Sequence, residues 1–188
     1  MIGYNLPASV SIGGRDYAIR TDYRAILDII LALNDPELTD DDKAAVALAI
    51  FFLDEIPDDL QEGINLCFWF ISGGDEHQSQ KPSPKLVDWE KDFRWIASPI
   101  NKMLGRDVRG MEMHWWTFLG YYYEIGDCTF AQIVKVRSAK ATGKKLDKSD
   151  REWARKNAEL INIETKYTEA EGDLLSAWMK GGEPNAGE

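Results

Sequence analysis

Residues 113–123 read MHWWTFLGYYY, and no other stretch limits the fold so severely. Six aromatic rings and one histidine fall within eleven residues. Rings of that size must leave water, into a core or against a partner. At 3.6 residues per turn, a helix over about 111–124 puts Met111, Trp115, Phe118, Leu119 and Tyr122 on one face. Trp116 and Tyr123 flank that face, so Trp115, Phe118, Leu119 and Tyr122 are expected in the core. His114 is expected to pack among the rings. Met113 and Tyr121 fall on the opposite side, to be met by another helix or by a partner; both readings stay open.

A core for these rings has to come from the remaining chain, which reads as mainly helical. The exception is the start. Val10 and Ile12 precede Gly13-Gly14, and Tyr17 and Ile19 follow in alternation, which predicts a β-hairpin. Two strands alone are marginal in water, so the hairpin must lie on helices or pair with another chain. Thr21 or Asp22 caps a first helix carrying Tyr23, Ile26, Leu27, Ile30 and Leu33. Thr39 caps a second, with three aspartates at its dipole-positive end, running apolar nearly all round through Leu53. A third opens at Pro57-Asp58-Asp59 and aligns Leu60, Ile64, Cys67, Phe68 and Ile71 on one face. Residues 73–85 then read as a linker, containing His77 without a partner. The fourth helix is the most regular: Leu86, Trp89, Phe93, Ile96, Ile100 and Met103 or Leu104 recur at spacings of three and four. Trp89 and Phe93 are therefore expected in the core. Pro99 predicts a kink, or a restart capped by Ser98. After the aromatic helix, Asp127 or Thr129 caps a sixth with Phe130, Ile133, Val134 and Arg137.

This organisation predicts a single-domain helical bundle over 1–138 with its N-terminal hairpin. A basic connector follows at 139–148, then a C-terminal helical pair at 149–180 and a disordered tail at 181–188. Ser149 with Glu152, and Thr168 with Glu171, have the spacing of capping boxes. Behind them, Trp153, Leu160 and Ile161, and then Leu174, Leu175, Trp178 and Met179, form stripes too narrow to be stable alone. With Met113 and Tyr121, Trp153 and Trp178 are the candidate partner contacts.

Charge narrows function. The chain carries −10 overall, but residues 135–156 hold 9 Lys and Arg against 3 Asp and Glu. The total disfavours nucleic acid; that basic segment is the one place it could bind. No apolar run approaches a membrane span, MIGYNLPASV is not a secretion signal, and two cysteines 61 positions apart give neither a disulfide framework nor a zinc pattern. A reducing cytosol fits. No phosphate loop, HExxH or GxSxG occurs, so no catalytic residue, cofactor or metal is expected.

Asp92-Phe93, GRDV at 105–108, MHWWTF at 113–118 and QIVKVR at 132–137 together resemble a bacteriophage family named for gene product fifteen, found in long-tailed phages and prophages of Gram-positive bacteria. LPASV at 6–10, IRTDYR at 19–24 and IPDD at 56–59 extend the resemblance to about 4–138. It implies a tail assembly chaperone. Such a protein holds the helical tape-measure protein soluble before tube subunits polymerise, has the tail-tube protein as a further partner, and can self-associate. It works in the host cytoplasm, is absent from the virion, and has no enzymatic activity. The alternatives are a structural tail or connector component and a nucleic-acid-binding late protein.

Overall fold

The computed structural model describes residues 5–75 and 84–163. His77, Thr168, Leu174, Leu175, Trp178 and Met179 lie outside them, as do the expected second C-terminal helix and the tail at 181–188. The fold is mainly helical behind an N-terminal hairpin.

Strands β1 (Ser9–Ile12) and β2 (Arg15–Ala18) pair antiparallel, Ile12 opposite Arg15. Gly13 and Gly14 both take positive φ (59° and 81°), as a two-residue turn of this hand requires. Val10 and Ile12 point inward. The hairpin gains its support from helix α2 (Asp40–Phe51), whose chain leaves in extended form and runs beside β2. Leu53 N–H donates to Ala18 O (3.0 Å), Arg20 N–H donates to Phe51 O (2.8 Å), and Ile19 bridges Phe52. This pairing also corrects the expected end of the helix. Beyond Phe51 the side chains alternate, Phe52 in and Leu53 out at 48% exposure.

Helix α1 (Tyr23–Leu33) is capped by Asp22, and α2 by a Thr39–Asp42 capping box. Helix α3 (Leu60–Ile71), capped by Asp59, buries Cys67 and Phe70, and burial pushes the Cys67 thiol up to about 12. That protonated, enclosed thiol is a packing group. Leu60 and Phe68, expected on the buried face, are instead exposed. Helix α4 (Trp89–Leu104) neither restarts nor breaks at Pro99 and ends at Gly105 in the left-handed conformation.

The aromatic stretch folds in two parts. Helix α5 (Trp115–Tyr123) starts two residues later than Met113. The residues before it run antiparallel to 21–23: Tyr23 N–H donates to Met113 O (2.9 Å), Trp115 N–H to Thr21 O (2.7 Å), and Met113 N–H to Asp22 Oδ2 (3.1 Å). Met113 is consequently buried, not exposed, because extended backbone turns its side chain where a helix would not. Tyr121 is half-buried against the core, and Tyr123 is the exposed residue of the three tyrosines, at 72%. His114 caps α5: Trp116 N–H donates to its Nδ1 (3.1 Å), which leaves the neutral ring's hydrogen on Nε2, facing Pro7 O at 3.0 Å.

The paired tryptophans have a specific task. Their indole N–H groups donate to the last carbonyls of α3, Trp115 to Ile71 O and Trp116 to Phe70 O, both at 2.9 Å. Helix ends leave such carbonyls without intrahelical donors. Gly74 (φ 85°) fits beneath Trp116, where an added Cβ would meet the ring at 2.8 Å. Tyr23, fully buried, stacks on Phe118 at 4.5 Å and donates its hydroxyl to Val108 O.

Helix α6 (Thr129–Thr142) has Cys128 at its N-cap with no side-chain bond, so neither Asp127 nor Thr129 performs that role. It runs through the boundary expected at 138 and stops at Gly143. Helix α7 (Lys148–Lys156) is capped by Asp147, ahead of the expected Ser149, and α8 (Ala158–Ile161) returns to the bundle.

Candidate partner-binding surfaces

Arg137, on α6, is the centre of the least exposed charge cluster among the described residues. Its guanidinium donates to both oxygens of Asp92 on α4, through Nη1 to Oδ2 and through Nη2 to Oδ1 (3.1 Å). Nη1 also donates to Leu86 O (2.9 Å), Nη2 to Leu160 O (2.6 Å), and Nε to Ile161 O (3.2 Å). All five N–H groups are thereby used, the condition under which a buried arginine is tolerable. Asp92 further accepts from Asp88 N–H (2.9 Å). One residue thus ties together α4, α6, the approach to α4 and the end of α8. On the neighbouring turn, Asp150 of α7 accepts from Gln132 Nε2 and pairs with Lys135 (both 2.8 Å). The Lys135 and Gln132 hydrogen bonds hold the Asp150 carboxyl below its ordinary value. These contacts tie α7 and the end of α8 to α6.

The openings lie elsewhere. Between α1 and α4 runs a trough of about 280 Å³, lined by Leu27, Leu31, Trp89 and Phe93 over the Tyr23 ring. It continues into a second opening of about 340 Å³ that shares Leu31 and Trp89 and adds Ile30, Leu86, Val87 and Tyr122. Arg24, Asp28, Glu90 and Arg109 sit along the rim. Asp22 holds Arg24 (2.7 Å) and Asp107 holds Arg109 (2.6 Å). Burial would raise the Asp22 carboxyl, but hydrogen bonds from the Arg24 side chain and from the Arg24 and Met113 backbone outweigh it and set the carboxyl below its usual range. A separate cavity of about 540 Å³ opens between the C-terminal half of α4 and the α5–α6 turn, walled by Trp95, Pro99, Met103, Ile125 and Cys128.

The residues expected from sequence divide unevenly over this map. Trp115, Phe118 and Leu119 are buried. Trp89, Phe93 and Tyr122 are half-buried and form trough walls. Of the expected contacts, Met113 is enclosed, Tyr121 and Trp153 are half-buried and line none of these openings, and Trp178 lies outside the described residues. The trough walls carry a sequence signal, the aromatic pair Trp89 and Phe93 at spacing four opposite Leu27 and Leu31, but nothing in that spacing says whether a stripe is covered. Among the described residues no cluster of three metal-ligating side chains occurs, and no helix is long and apolar enough to cross a membrane.

What the fold defines is a helical domain with an aromatic core, clasped shut around one buried arginine and open along an apolar trough. The chain belongs to the Bacteriophage Gp15 protein family, whose model matches residues 3–163. No curated protein and no solved structure matches it. The matched span passes the 138 boundary and takes in α7 and α8, in keeping with the carbonyls that Arg137 binds there. The family suggests a late or structural phage protein.

Proposed function

We propose that this chain is a tail assembly chaperone that binds the helical tape-measure protein and keeps it soluble until the tail tube forms. The observation that carries the reading is the open α1–α4 trough in a chain of this phage family. An amphipathic helix presents apolar residues at spacings of three and four, and a trough between two helices receives them. Leu27 and Leu31 on one wall, and Trp89 and Phe93 on the other, repeat at spacing four. The charged rim favours reversible contact, and a net charge of −10 keeps an assembled complex dispersed. The chain acts by contact, with no catalysis, in the host cytoplasm, and departs before the virion is complete.

Co-expression with the tape-measure protein of the same genome tests this. A soluble complex on a sizing column is expected, lost in Leu31→Arg, whose exposed position spares the fold. A tape-measure protein that stays insoluble, with no complex, sinks the reading. Mass spectrometry of purified virions separates the structural alternative, since a chaperone is missing from them. Salt-sensitive DNA retention would favour the nucleic-acid alternative, although Arg137 and Lys135 are already engaged by Asp92 and Asp150.

A further inference from the structure

We propose that the chain carries its own occupant for the trough: residues 164–188 dock there through Leu174, Leu175, Trp178 and Met179. Arg137 holds the carbonyls of Leu160 and Ile161 and, through the same guanidinium, that of Leu86. Leu86 lines the trough beside Leu31 and Trp89. The chain at Leu160 and Ile161 is thus held by the same guanidinium as Leu86, a lining residue of the trough.

The segment is long enough to reach along the trough: from Ile163 to Thr168 an extended chain covers up to roughly 17 Å, and a helix from there to Leu174 adds about 9 Å. Along α1 the trough, from Tyr23 to Leu31, is about 12 Å long at helical rise. Its residues also suit the trough: the spacing of Leu174, Leu175, Trp178 and Met179 is that of one face of a helix, and Thr168 and Glu171 have the spacing of a capping box. That stripe is too narrow to hold a helix without a partner. The trough offers a complementary apolar floor, and the charge of Lys85 in its lining is complementary to the Glu169, Glu171 and Asp173 of this segment. The docking holds whether or not a client also uses the trough; where one does, the terminus is the competitor it displaces.

Hydrogen exchange on the full chain tests it. The triple variant Leu174→Ser, Leu175→Ser, Trp178→Ser alters only residues beyond the family match, and exchange in α3 and α5 reports whether the domain is folded. Several-fold faster exchange is expected in 23–31 and 86–93, with α3 and α5 unchanged, and a synthetic 164–188 peptide should restore protection. In a second full-length variant, Leu31→Cys with Trp178→Cys, oxidation at low concentration should give a disulfide within one chain. Equal exchange in wild type and triple variant overturns the proposal, as does a disulfide formed only between two copies. Both measurements use the protein alone, so a failed tape-measure complex leaves them unaffected.

Discussion

The α3–α5 seam and the α1–α4 trough are made of the same side chains and end in opposite states. In the seam, Trp115 is buried and Trp116 half-buried, with each indole N–H spent on a carbonyl of α3. In the trough, Trp89 and Phe93 meet α1 on one side and leave an opening on the other. Ring area alone does not decide which aromatic becomes core. A hydrogen bond to a helix end fixes the seam at one distance and orientation, whereas Trp89 and Phe93 are located only by packing on Trp115, Phe118, Tyr122 and Tyr23.

The closed side should be the easier to break. The largest loss is expected for Arg137→Ala, which strands Asp92 and three carbonyls in the interior. Breaking a buried pair from one side costs about 3–5 kcal/mol, and chemical denaturation measures it. Next comes Trp115→Phe, which keeps a ring in the seam but leaves Ile71 O without its donor. An unmet buried acceptor costs about 1–3 kcal/mol, and thermal unfolding against Trp89→Phe should show the trough tryptophan to be the more tolerant.

Asp22 gives a smaller effect with a defined sign. Its folded carboxyl titrates below its ordinary value, so the stability it supplies is complete above about pH 4 and is lost as pH falls through the lowered folded value. Asp22→Asn should flatten the acid limb of the stability curve, and a limb as steep as wild type would remove Asp22 from its cause. Smallest of all, Leu31→Ser on the trough should change stability by no more than about 0.5 kcal/mol. A loss as large as that of Trp115→Phe would mean that Leu31 belongs to the bundle's own core and not to a surface on which a segment outside the bundle docks.

Local features were legible and long-range ones were not. The Gly13-Gly14 turn and Asp22 and Thr39 as caps are encoded within a few residues, and the structure repeats them. Met113 escaped because its burial depends on pairing with Asp22 and Tyr23, some ninety residues earlier, which no helical wheel contains. Asp92 and Arg137 were visible as parts of a family pattern but not as partners, since charges on regular helices read as solvated until their neighbours are known. The trough was hidden by the strength of its own pattern. An apolar stripe has the same periodicity covered or bare, so Trp89 and Phe93 read as interior. For the candidate site, this means the residue types were found and their exposure was not.

Arg137 also has a position in time. Translation supplies Leu86 and Asp92 before the guanidinium, and Leu160 and Ile161 after it. While the chain is being made, Arg137 can close on α4 yet still hold donors that await carbonyls not synthesised. A product ending short of Leu160 would keep them waiting permanently. The domain therefore completes itself late, and the arginine distinguishes a finished chain from a shortened one.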